Sequence, residues 1–160
     1  MIMSQKLMNR MIYGIIILFC LTPFLFFLYI NTTATMQSVT IVDLLQTTPA
    51  LTLQMLAIFL LPLAAYLLKL KWDKVGDTES QHILYASIAL LMVALFTLNN
   101  IVHGFLLLIL LFFVTKYFSI SIKGALATFK DVKFALSTYS GEICLIVVSV
   151  IVGLMMNRVM

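Results

Sequence analysis

Apolar blocks close to the thickness of a bilayer recur along this chain, and the short segments between them hold most of its charge. About 20 consecutive apolar residues span the roughly 30 Å hydrocarbon core of a membrane as a helix, so block length alone sets the fold class. The sequence predicts an all-α, polytopic membrane bundle of four to five transmembrane helices, with residues 1–160 forming one membrane domain. Composition agrees, because 63% of the residues are hydrophobic and only 10% are charged. A soluble domain carries about half apolar and a quarter charged residues.

The first block, 11–30, follows Lys6 and Arg10. It is longer than the roughly 7–15 apolar residues of a cleaved signal peptide, so it is expected to remain as a signal anchor. Pro23 is expected to bend it, since proline lacks the N–H that the helix ladder needs. Residues 31–48 are polar and rich in Thr, with Asp43 as the single charge and a weak apolar stretch from Val39 to Leu45. They are expected to form an external loop with at most a short helix. Asn31-Thr32-Thr33 matches the glycosylation pattern and carries no meaning in a bacterial source.

The second span is expected at 49–68, with Pro49 in its first turn, Thr47 or Thr48 as cap, and a bend at Pro62. Residues 69–81 carry both signs of charge around Gly76, and Trp72 suits a headgroup boundary. Thr78 and Gln81 have capping-box spacing. Spans at 82–98 and 101–118 are separated by Asn99-Asn100 alone and must form an antiparallel hairpin.

Within 119–140, Ile122, Leu126, Phe129, Val132 and Leu136 recur at helical spacing while Lys123 and Lys130 share the opposite face. The pattern predicts one amphipathic helix in the membrane interface, with Lys133 snorkelling and Phe134 fitting poorly. The final block, 143–157, is a largely apolar run of 14 residues from Ile143 to Met156 followed by Asn157. The run reaches about 21 Å at 1.5 Å per residue, short of the hydrocarbon thickness. It spans only if Ser140 and Glu142 lie slightly inside.

Charge sets the direction of threading. With the N-terminus in the cytosol, Lys6, Arg10, Lys69, Lys71, Lys74, Lys116, Lys123, Lys130 and Lys133 all lie on the cytosolic side, and Arg158 alone lies outside. That distribution follows the positive-inside rule. The net charge of +4 therefore reflects orientation and anionic lipid, and no direct nucleic-acid binding is expected. A vocabulary heavy in Ile, Leu, Phe, Lys and Asn suggests a low-GC bacterium, which makes the plasma membrane the expected location.

Catalysis requires polar groups converging at one depth, and the spans offer almost none. HExxH, P-loop and dinucleotide-binding glycine patterns are absent. His82 falls at the cytosolic start of the third span and His103 at the external start of the fourth, so they cannot share a metal within one subunit, and Cys20 and Cys144 are isolated thiols read as packing residues. The expectation is no enzyme, no metal and no cofactor. Glu142 is the one intramembrane polar candidate, and its expected role is structural: a boundary carboxylate paired with Lys133 or capping the last helix. Ser149-x-x-x-Gly153 has the small-xxx-small spacing of close helix contacts, expected within one bundle, with homo-oligomer formation as the alternative.

Binding remains. The expected function is a small membrane regulatory or accessory protein that restrains a cytosolic partner protein, for example a transcription activator, through Lys69, Lys71, Trp72, Lys74, Lys123, Phe129, Lys130 and Lys133. The alternatives are an immunity protein against a membrane-active toxin, acting through the external loops, and a channel or transporter subunit. The lipid bilayer is a partner in every case.

Overall fold

The computed structural model describes residues 4–159, and among these every regular element is a helix. In chain order they are α1 Gln5–Met36, α2 Ile41–Thr47, α3 Pro49–Phe59, α4 Leu61–Trp72, α5 Thr78–Thr97, α6 Ile101–Phe118, α7 Ile122–Ala127, α8 Val132–Thr138 and α9 Ser140–Val159. Five segments are long and apolar enough to cross a membrane: α1, α3 with α4, α5, α6 and α9. The protein is a five-span helical bundle.

α1 runs 32 residues through Pro23 without a break, six residues beyond the expected end of the first span. Polar residues extend it because Thr32, Thr33 and Thr35 turn their hydroxyls back onto the carbonyls of Leu28, Tyr29 and Asn31. Thr can stay helical this way. At 1.5 Å per residue α1 is about 48 Å long, so it tilts or projects beyond the hydrocarbon. Ser38, with φ of 55°, turns the chain into α2, which Thr40 caps by accepting from the Asp43 N–H. The segment 31–48, expected as a loop, is thus a helical extension and a short helix.

Pro49 opens α3 as expected, but Thr48 makes no side-chain cap. The second span breaks between α3 and α4 at Leu60, just ahead of Pro62 in the first turn of α4. Asn100, in the turn between α5 and α6, donates its amide to the carbonyl of Ala57 at 3.3 Å. A neighbouring turn thus supplies a donor to the last turn of α3, which is how broken helices survive in lipid.

The capping box of α5 falls one residue before the expected Thr78–Gln81 pair. The Asp77 carboxylate accepts from the Ser80 N–H at 3.0 Å, and the Ser80 hydroxyl accepts from the Asp77 N–H at 3.1 Å. The Asp77 carboxyl is held below its ordinary range by the Ser80 hydroxyl first and the Ser80 N–H second. Asn99, at φ of 58°, makes the turn into α6, and the two helices pack along their length.

α5 is the hub, packing on α4, α6, α7 and α9. Its approach to α9 needs Gly153, where a Cβ would overlap the Thr97 carbonyl. Buried Ser149 satisfies itself by donating to the Leu145 carbonyl at 2.7 Å. The small residues therefore serve contact within the bundle, with dispersion between close backbones replacing the hydrophobic drive that lipid lacks. Cys20 and Cys144 are exposed on their helices, contrary to the packing role expected for them.

The expected single helix over 119–140 is instead two short helices, α7 and α8. Asp131 explains the break: its carboxylate accepts from the N–H groups of Lys133 and Phe134, capping a new helix where the first would have continued. The apolar residues Ile122, Leu126, Val132 and Leu136 stay exposed. The last span begins at Ser140, so Glu142 lies inside α9 and supplies the length that the apolar block lacked.

Candidate functional site

Glu142 is the one buried carboxylate among the described residues, with 1% of its side chain exposed. It sits in the first turn of α9, where unpaired N–H groups favour negative charge. Lys71 sits in the last turn of α4, where carbonyls favour positive charge. Their charged atoms lie 3.7 Å apart, and the Lys71 side chain is 16% exposed. Ser87, buried on α5, donates its hydroxyl to the same Glu142 oxygen. The expected pairing of Glu142 with Lys133 is overturned: Lys133 is exposed, and Lys71 is the partner.

Lys71 also donates to the Thr138 carbonyl at the end of α8, and its ammonium lies 5.4 Å from the centre of the Tyr139 ring. Tyr139 is fully buried and stacks on Phe129 at 4.9 Å and 23°. Thr128 donates to the Ala125 carbonyl at 2.7 Å, so the Tyr139 hydroxyl donates the 2.9 Å bond between them. Burial first, and the Glu142 charge in addition, raise the Tyr139 phenol above its ordinary range, with the Thr128 bond opposing. Tyr139 is therefore neutral at physiological pH. The cluster ties α4, α5, α8, α9 and the α7–α8 connection together at the lysine-rich end.

This arrangement can lock but has little to catalyse with. It holds one carboxylate, already matched with a lysine, and neither a second acid nor an activated nucleophile touches it. Along the span, buried Ser149 lies two turns from Glu142, and its hydroxyl is occupied within its own helix. Among the described residues no three His, Cys, Asp or Glu side chains gather as a metal site.

The expected partner-binding residues divide. Lys71 is consumed by the cluster, and Phe129 has one face on Tyr139. Lys69 pairs with Asp73 at 2.7 Å on the surface, while Lys74, Lys123, Lys130 and Lys133 are exposed. Trp72 is half-buried, its ring 6.4 Å from that of Phe118, and lines a recess of about 390 Å³ with Gln5, Asn9, Gln81 and Tyr117. This recess opens at the end carrying the N-terminus. At the other end, His103 of α6 lies 3.1 Å from the Thr22 hydroxyl of α1. Because Thr22 donates to the Leu18 carbonyl, the imidazole nitrogen is the donor between them.

No local pattern marks the tie between Lys71 and Glu142, which are 71 positions apart, nor Ser87 as its third member. Comparison with protein-family models, with curated proteins and with solved structures returns no match to this chain.

Proposed function

We propose that this chain is a small regulatory or accessory protein of the bacterial plasma membrane that binds and restrains a cytosolic partner protein. The observation that carries the reading is the recess lined by Gln5, Asn9, Trp72, Gln81 and Tyr117. Its amides offer donors and acceptors without charge, and its aromatic walls accept an apolar side chain. Interface anchors are typically one large side chain in such a pocket. Lys74, exposed in the loop beside it, adds orientation for an acidic surface.

Nine of the ten basic residues fall at this end or in the segments attached to it, which makes it the cytosolic face by the positive-inside rule. The Lys71–Glu142 cluster supports the reading because it fixes the loops around that face without performing chemistry. A membrane-held inhibitor of a transcription activator needs no more than this.

The test is affinity purification in mild detergent from the native host at native expression, followed by identification of retained proteins. One cytosolic protein is expected to co-elute, to be lost with Trp72→Ala, and to persist with Lys133→Ala. Retention unchanged by Trp72→Ala and Gln81→Ala together would remove the recess as its site. A second reading, self-protection from a membrane-active toxin, is favoured by an external recess of about 320 Å³ between α5 and α9, bounded by Thr97, Asn99 and Asn157. It predicts sensitivity to one toxin on deletion, without change in transcription.

A further inference from the structure

We propose that the groove between α5 and α7 binds one anionic phospholipid, with an acyl chain along α5 and the phosphate between Lys123 and Lys130. The groove holds about 170 Å³ and is walled by Ala86, Ala89, Leu90 and Val93 of α5 and by Ile122 and Leu126 of α7. α5 starts at the lysine-rich end, so Ala86 to Val93 is a track running about 10 Å into the hydrocarbon. Ala86 and Ala89 keep its floor low. At its mouth Gly124 lies against the His82 imidazole, where a Cβ would overlap the ring, and this contact seats α7 over the start of α5.

Charge complementarity selects the headgroup. Lys123 follows groove-lining Ile122, Lys130 follows groove-lining Phe129, and both lysines are exposed. The acid beside them, Asp131, is engaged in capping α8. A shallow apolar track with an exposed lysine next in sequence to each of two of its lining residues, both within side-chain reach of it, matches the two ends of a phosphatidylglycerol molecule, and lysines near a membrane surface each favour anionic lipid by about fivefold. This proposal is independent of the partner recess, with which the groove shares no lining residue, and its test contains no partner protein.

The experiment is native mass spectrometry of the purified full chain in detergent, titrated with phosphatidylglycerol or phosphatidylcholine. One retained phosphatidylglycerol is expected, preferred over phosphatidylcholine by at least tenfold. Replacing Lys123 and Lys130 by Ala should lower that preference to within a few-fold of unity while a lipid is still retained. Filling the track with Ala89→Phe should abolish retention of both lipids. Because that variant risks misfolding, the unmodified protein is also exposed to phosphatidylglycerol bearing a photoactivated diazirine on its acyl chain, which should label peptides from 85–93 and 122–129. Equal retention of the two lipids, labelling elsewhere, or a groove-dependent dimer indifferent to lipid would each overturn the proposal.

Discussion

The Lys71 ammonium lies 3.7 Å from the Glu142 carboxylate, joining the last turn of α4 to the first turn of α9 inside the lysine-rich end of the bundle. Ser87 holds the same carboxylate from α5, so one anion gathers three spans. Such pairs contribute modestly to net stability but penalise the loss of either member, because the survivor is left charged in a medium that solvates it poorly.

Lys71→Ala is therefore expected to destabilise the bundle by about 3–5 kcal/mol. Replacing both charges, with Lys71→Met and Glu142→Leu, should recover most of that loss. Ser87→Ala, which removes a hydrogen bond to a charged group, should cost about 1.5–3 kcal/mol. Unfolding in detergent, monitored by helical circular dichroism across the set, supplies the comparison. Additive losses in the double variant would show that the two charges do not interact.

Gly153 and Gly14 should respond oppositely to a methyl group. At Gly153 the new carbon meets the backbone carbonyl of Thr97, so Gly153→Ala forces α5 and α9 apart and is expected to cost about 1–3 kcal/mol. At Gly14, inside α1, nothing lies within 4 Å of the added carbon. Gly14→Ala should stabilise the helix by about 0.5–1 kcal/mol. The same melting experiment reads both.

The start of α5 should loosen in acid. Asp77 is an ordinary carboxyl whose pKa is lowered from 3.8 by Ser80. A group depressed in the folded state adds stability that is fully present above its unfolded pKa and is lost as pH falls through the folded one. Amide exchange at Ser80 is therefore expected to be independent of pH from 7 to about 5 and to accelerate as pH drops below 3.8. Asp77→Ala should exchange faster at neutral pH and lose that dependence.

The spans were legible because block length and flanking charge are local properties, and lipid responds to little else. The hairpin at Asn99-Asn100 and the helix start at Pro49 were legible for the same reason. Two local signals were misassigned. Asp77 with Ser80 outcompetes Thr78 with Gln81, since a carboxylate reaches the third N–H readily and Ser80 can return the bond. Asp131 lies inside the segment whose periodicity suggests one amphipathic helix, and its short side chain is a start signal for a second one.

The Glu142 cluster was hidden for a different cause. Its members lie on helices whose relative rotation is set by Gly153 against Thr97 and by the small residues of α5, and periodicity within one helix carries no record of that packing. The Trp72 recess is hidden likewise, being bounded by residues from Gln5 to Phe118 that meet only in the assembled bundle.

Everything proposed for the lysine-rich face requires that it meet the cytosol, which single cysteines report directly. Cys20 and Cys144 are replaced by Ser, and cysteine is placed singly at Gln37, Lys74, Asn99, Lys130 or Arg158. Intact cells are then treated with a membrane-impermeant maleimide. The five-span bundle predicts labelling at 37, 99 and 158 without permeabilisation, and at 74 and 130 only after it. Labelling of positions 74 and 130 from outside intact cells would contradict the account.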